Sequence, residues 1–396
     1  MVKVGEATLR GMVWCAAFAF AFGAAGCGSG ETSGSGTTTT DTTTDTTTTT
    51  PIGDPLSYSV LETGPYSCGH RVLSATYALP AGQGDRTIPV HVWYPSRVAE
   101  GEHPKYRALF EDDHAWEDVP LADSPWKAGF PVIVHSHGYK GFAGNSARLM
   151  CHFASHGWVA VAPEHVGNTI GDTPDPLPLA VYYERPLDVR AALDLAASPP
   201  DGDPLTGQLD MGHVGMTGHS FGTYTAWAVA GATFDPAAIQ AKCDAGDVAP
   251  CSADEVAVFS TDLSEPRAKM AVPLAGGHND FFSAGGEDTA KVPVMLMTGS
   301  LDQVGADALF ASVTGVDFTW VEVDGGCHQL FGLGNSYLGD KACADLPDEE
   351  GFAIVNPWVV AYARYHVLGD TSSEVKAIVE GTQSVSDRAH VQHKAP

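Results

Sequence analysis

Basic residues are scarce in this chain: 21 Lys and Arg stand against 48 Asp and Glu, a formal net charge of −27. Nucleic acid and anionic lipid surfaces are recognised through basic patches, so this balance excludes both as partners. Residues 1–50 hold two basic and four acidic residues, so almost the whole excess belongs to residues 51–396 and reads as a solvated acidic surface. No segment repeats at a fixed period, which excludes solenoids and propellers. Long apolar runs are missing too, since the run at 12–22 is too short to span a bilayer.

What the N-terminus has instead is an export pattern. Lys3 and Arg10 precede that run, and the small residues Ala24, Ala25 and Gly26 follow it before Cys27. Basic residues, a short apolar core and small residues make a secretory signal, here residues 1–26. Its ending resembles the lipobox of bacterial lipoproteins, and that resemblance implies a lipid on Cys27, the first residue of the mature chain. The competing reading is ordinary signal cleavage with Cys27 incidental. From 28 to 50 the composition collapses to Gly, Ser, Thr and a few acids, too little apolar surface to offset its ordering entropy. Residues 27–54 therefore read as a flexible tether that holds an exported domain at a membrane of the bacterial cell envelope.

Cysteine is also sparse, at eight. Cys15 falls in the signal and Cys27 at its end, which leaves six. An even number in an exported domain points to disulfides, though six cysteines allow fifteen connectivities. The close pairs Cys243–Cys251 and Cys327–Cys343 are the first choices, and Cys68–Cys151 follows by elimination. Free buried thiols are the alternative.

With 44% hydrophobic residues the remainder can build a sizeable core. Residues 70–79 and 86–94 alternate apolar and polar side chains around a Gly-rich turn, the pattern of an antiparallel pair. Residues 96–128 read as a polar excursion. Short apolar strands then alternate with helices: strands at 130–135, 158–162, 212–216, 268–274, 292–298 and 318–323, helices at 146–155, 183–197, 224–230, 307–312 and 355–366. That alternation implies a mostly parallel sheet with helices on both faces. One α/β domain over 55–370 accommodates it, an eight-stranded type of sheet with an antiparallel start. Residues 232–266 are an excursion over the sheet, and 371–396 a short helix with a polar tail.

The chain is organised around Gly218-His219-Ser220-Phe221-Gly222. In so Gly-rich a chain the pattern could be an ordinary structural turn. Between a strand and a helix, however, it is the nucleophile elbow of α/β-hydrolases, whose Ser is exposed on a sharp turn at a helix N-terminus. Such a Ser needs a carboxylate and a His in that chain order, because His takes the Ser proton and the carboxylate fixes the imidazole's tautomer. Asp302 follows one strand and His328 the next, both at carboxyl ends, where function collects in such sheets. Asp280, one strand earlier, is the alternative acid. The loop His135-Ser136-His137-Gly138-Tyr139-Lys140-Gly141 should supply one oxyanion-hole amide from Tyr139, and Phe221 the other. His135 and His137, with Glu164, His165 or His278, could instead ligate a metal, a weak signal with no third ligand fixed by spacing; no metal is assigned. Tyr139, Trp158 and Phe221 are candidate pocket aromatics.

At these residues the chain resembles a known group. PVIVHSHGYKG, FASHGWVAVAPEH and GHSFG look like the platelet-activating-factor acetylhydrolase branch of the α/β-hydrolases. HGYKG, ASHGWVAVA, VPVMLMTGSLDQV and the His328 loop are also similar to bacterial cutinase-like polyester hydrolases, related to dienelactone hydrolases. The likeness spans residues 63–335. It implies an α/β-hydrolase fold and a monomeric serine carboxylic-ester hydrolase without cofactor, acting on a small-molecule, lipid or polymer ester. Thr223, where the family usually has a second Gly, and the 232–266 excursion depart from it. The alternatives are an amidase or peptidase of the same fold, or a catalytically silent surface-binding lipoprotein.

Overall fold

Stretches that read as short continuous apolar runs form the middle of one sheet, because a strand covered on both faces needs apolar side chains at successive positions. The computed structural model describes residues 53–396; the signal 1–26, Cys27 and nearly all of the 27–54 tether lie outside the described residues. In chain order the elements are β1 (Ser67–Ala78), β2 (Asp85–Ser96), β3 (Lys105–Tyr106), β4 (Phe110–Glu111), β5 (Ala115–Glu117), β6 (Phe130–Ser136), α1 (Ala147–Ser155), β7 (Val159–Pro163), α2 (Ala180–Ala197), β8 (Leu209–His219) and α3 (Phe221–Ala230). They continue with α4 (Pro236–Ala245), α5 (Ala253–Val258), β9 (Ala268–Leu274), β10 (Val294–Gly299), α6 (Ala306–Ser312), β11 (Phe318–Val323), α7 (Asp348–Leu368), α8 (Ser373–Val379) and β12 (Ala389–Lys394).

The main sheet runs β12-β11-β10-β9-β8-β6-β7-β2-β1-β5. Strands β6 to β11 pair in parallel, while β2 joins β7 and β1 joins β2 in antiparallel. This is the α/β-hydrolase arrangement. Side chains of β6 show how it is filled: Phe130, Val132 and Val134 enter the cluster under α2 and α3, and Ile133 enters the opposite one under α1 and α7.

The sheet extends past eight strands at both edges. Residues 96–128 supply β5, which pairs with the start of β1, and are not only a polar excursion; three residues are too few to show an alternation. The polar tail likewise carries β12, antiparallel to β11 from Phe318 opposite Lys394 to Val323 opposite Ala389. Its sequence AHVQHK is half exposed, as an edge strand can be, so it lacks the apolar pattern of a buried one. Helices α2 and α7 start three and seven residues earlier than expected and run through Pro186 and Pro357. Both prolines lie inside the expected helices as well as the observed ones, and buried packing carries the helices through them.

The 232–266 excursion holds α4 and α5, tied by Cys243–Cys251. The other disulfides are Cys68–Cys151, joining β1 to α1, and Cys327–Cys343. Three disulfides suit an exported protein. Among the described residues no helix is long and apolar enough to cross a membrane.

Candidate active site

Strand β8 ends in a turn so tight that Ser220 takes φ 57° and ψ −116°, a conformation a side-chain-bearing residue holds only when its surroundings impose it. Two glycines allow this. A Cβ on Gly218 would run into the Gly222 carbonyl, and one on Gly222 into the Ser136 carbonyl. Thr223, the departure from the usual Gly, finds its room at Gly276, where a Cβ would meet the Thr223 side chain; its hydroxyl donates to the Leu274 carbonyl at 2.9 Å. The Ser220 amide donates to that same carbonyl at 2.8 Å, so β9 pins the elbow.

The loops after β10 and β11 bring two more side chains to Ser220. The Ser220 hydroxyl lies 2.8 Å from His328 Nε2, and His328 Nδ1 lies 2.9 Å from Asp302 Oδ2. Donation from Nδ1 to the carboxylate leaves Nε2 free to accept from Ser220, the tautomer a general base requires. Asp302 is largely buried and His328 partly open. Asp280 sits elsewhere: its side chain is 75% exposed and pairs with Lys242 at 3.2 Å, so the structure brings Asp302, not Asp280, to His328.

His219 of the elbow holds the His328 loop. Burial pushes its pKa down to about 3, so it is neutral. Its Nδ1 accepts from Asn145 at 3.2 Å, and its Nε2 donates to the His328 carbonyl at 2.9 Å. Asn145 was missed, since a helix-start Asn in a Gly-rich loop gives no signal of its own. Trp158 is fully buried against Phe153 and belongs to the core rather than the site.

The loop after β6 passes directly over Ser220: a Cβ on Gly138 would come within 2.9 Å of the Ser220 Cβ. It closes as a tight turn, with Gly141 N donating to Gly138 O at 3.1 Å and Lys140 at φ 54°. Tyr139 lies at its tip, 45% exposed, and Phe221 begins α3. On the flank, Tyr182 packs edge-on against Phe221 and stacks on Phe281 with ring centres 3.9 Å apart. Tyr182 and Phe281 line a hollow of about 270 Å³ together with Lys242 and Val248 of the excursion.

Each of the histidines weighed as metal ligands is hydrogen-bonded within the protein through at least one ring nitrogen, although the buried His135 Nε2 has no partner. His137 Nδ1 donates to Gly138 O at 2.8 Å, and its Nε2 accepts from the His165 amide at 3.0 Å. His135 Nδ1 bonds Thr217 at 2.9 Å, and His278 Nδ1 bonds Glu287 at 2.6 Å. His165 completes a second chain, Ser136 Oγ to Nε2 at 2.8 Å and Nδ1 to Asp188 at 2.9 Å. All three of those residues are sealed from solvent, so this copy of the hydrogen-bond pattern offers no access to a substrate.

Glu164 lies beneath the same loop. It accepts the Ala143 amide at 3.0 Å and faces His91 and His137 at 4.0 and 3.7 Å. Both imidazoles are held neutral by burial, so neither lends the carboxylate a positive charge, and burial outweighs the Ala143 amide and the Arg107 charge and pushes its pKa up to about 7. Between the unfolded value near 4.5 and 7 the folded chain keeps a proton that the unfolded chain has lost. Stability therefore falls as pH rises through that window, by an amount on the order of 3 kcal/mol. Urea titrations at pH 5 and 8 should show this decline in wild type and most of it removed in Glu164→Gln. An identical pH dependence in the two proteins would contradict the assignment.

Among known families, residues 118–243 match the model of the family described as Chlorophyllase, an α/β-hydrolase-type esterase family. The match covers less than half of the chain. It takes in Tyr139, Ser220 and Phe221 and stops before Asp302 and His328. No curated protein matches the chain. Fold and family match together support the α/β-hydrolase superfamily.

Proposed function

We propose that this α/β-hydrolase is a serine carboxylic-ester hydrolase whose nucleophile is Ser220. The observation that carries the reading is the continuous hydrogen-bond chain from Asp302 through His328 to a strained Ser220. Ser220 Oγ attacks the ester carbonyl carbon as His328 Nε2 takes its proton. The carbonyl oxygen becomes an oxyanion, held by the Tyr139 and Phe221 amides, each worth about 3 kcal/mol to the transition state. The tetrahedral adduct collapses, His328 protonates the departing alcohol, and an acyl-enzyme remains. Water, deprotonated by His328, then releases the acid. These steps draw on no cofactor.

The finer likeness, to platelet-activating-factor acetylhydrolases and cutinase-like polyester hydrolases, is part of the same proposal. So is the location: a lipid on Cys27 and the tether would hold a monomeric domain at the outside of a bacterial envelope membrane. Supporting an exported site are the three disulfides. The test is a p-nitrophenyl ester series, acetate to long chain, with wild type beside Ser220→Ala. Turnover by wild type alone is expected, and the chain-length optimum separates an acetylhydrolase-like pocket from a lipase-like one. Equal inertness of two folded proteins would remove the esterase reading.

A further inference from the structure

Arg185, on α2, is 1% exposed, yet no carboxylate among the described residues pairs with it. Its Nε donates to Thr225 Oγ1 at 3.0 Å, Nη1 to Asn168 Oδ1 at 2.6 Å, and Nη2 to Ser136 Oγ at 3.0 Å and to the His137 carbonyl. All of these acceptors are neutral. Asp188, one turn further along α2, acts on it through space but is itself bonded to Arg86, Tyr77 and His165. Burial lowers the Arg185 pKa to about 9, which still leaves it charged at neutral pH. Burying an unpaired cation is expensive, and an apolar side chain of similar volume would fill the space without that cost.

Its contacts say what the charge does. The His137 carbonyl follows the last residue of β6 and immediately precedes Gly138, the residue seated on Ser220. On its other side the guanidinium lies over the Phe221 ring, 4.5 Å from the centroid. One cation thus touches both segments that carry the oxyanion amides, the loop and the start of α3. We propose that Arg185 is a positioning residue for the oxyanion hole: through the His137 carbonyl its guanidinium clamps the start of the Gly138–Gly141 loop to Phe221, and its charge, bonded to no carboxylate, favours the oxyanion over the neutral ester. A fixed charge buried away from water acts without reorganising during the reaction, and it acts more strongly than it would in water. The inference rests on the ester-hydrolase reading.

The test compares wild type, Ser220→Ala, Arg185→Gln, Arg185→Lys and Thr225→Val on one p-nitrophenyl ester and on inhibition by a trifluoromethyl ketone. With that ketone, Ser220 Oγ adds to the carbonyl carbon and its proton passes to His328, which leaves a tetrahedral oxyanion. KM reports the neutral ground state; inhibitor affinity reports the oxyanion. Arg185→Gln should lower kcat and inhibitor affinity together by roughly 30-fold or more, with KM within about threefold. Arg185→Lys, which keeps the charge but not the fork, should recover part of the loss. Thr225→Val, which frees Nε alone, should lower both quantities by roughly three- to tenfold. Folded Arg185 variants with unchanged kcat and inhibitor affinity would overturn the proposal. So would a loss confined to KM or melting temperature. Should the Arg185 variants fail to fold, unchanged inhibitor affinity in Thr225→Val overturns it alone. A wild type without Ser220-dependent turnover ends the ester-hydrolase reading and this inference with it, whereas Ser220-dependent turnover with indifferent Arg185 variants ends only the inference.

Discussion

Asp302→Asn should lower kcat by about 10⁴-fold, the loss seen when a triad's acid can no longer hold its imidazole in the required tautomer. An amide at 302 would offer its NH₂ or its oxygen to His328 Nδ1, now 2.9 Å from the carboxylate. If the NH₂ donates, Nδ1 becomes the acceptor, the proton moves to Nε2, and Nε2 can no longer take one from Ser220. Even with the correct tautomer, an amide cannot stabilise the imidazolium formed as Ser220 attacks. Asp280→Asn is the matched control. Exposed at the rim of the flanking hollow, paired with Lys242 and bonded to no residue of the triad, it should leave kcat within about twofold, as surface substitutions outside such networks do. Turnover of p-nitrophenyl acetate by both variants, with circular dichroism to verify folding, decides between the two acids. A large loss in Asp280→Asn with Asp302→Asn intact would reverse the assignment.

Arg86→Met carries the largest expected effect on stability. Asp188 is fully buried in α2 and accepts from Arg86 Nε and Nη2 at 2.8 and 2.9 Å, with Tyr77 at 2.7 Å and His165 at 2.9 Å completing its shell. Arg86 comes from β2, so the pair fastens the antiparallel front of the sheet to α2. Burial already pushes the Asp188 carboxyl above its usual range with Arg86 in place. Without the guanidinium the carboxylate stays buried with no cation bonded to it, which should cost about 3–5 kcal/mol. A carboxyl raised above its unfolded value loses stability as pH rises, so the deficit against wild type is larger at pH 8 than at pH 5. The Lys376–Glu380 pair, about half exposed on both sides, is the control, and Lys376→Ala should cost under about 1 kcal/mol. Urea unfolding of the two variants compares them directly. A cost in Arg86→Met no greater than that of Lys376→Ala would show that Asp188 does not depend on the pair.

Legibility in the sequence divided along physical lines. The parallel centre was readable because β6 and β10 open as continuous apolar runs and β9 and β11 are apolar apart from Lys269, Thr319 and Glu322, and the elbow because its glycines are demanded by close backbone approach. Asp302 and His328 could be named because loops at strand carboxyl ends can be located from the strands alone. The edge strands β5 and β12 escaped because one is three residues long and the other is mostly polar, with only Ala389 and Val391 packed on the core. The excursion helices did carry start signals: Asp235 before Pro236 caps α4, and Ser252 with Glu255 forms a capping box on α5. Arg185, Glu164 and Asp188 were illegible as a group. Nothing in local sequence says that a charged residue in a helix or loop faces the interior; only the assembled sheet decides that.

Labelling by a fluorophosphonate tests the central claim most directly. Ser220 Oγ should attack phosphorus and expel fluoride, which leaves one stable adduct per chain, mapped by mass spectrometry to the peptide holding Ser220. The label should vanish in Ser220→Ala and fall sharply in His328→Ala, because the hydroxyl then lacks its base. Ser136, with the same hydrogen-bond pattern sealed inside the fold, should remain unlabelled. A folded protein that takes no label, or takes it at a residue other than Ser220, would contradict the account.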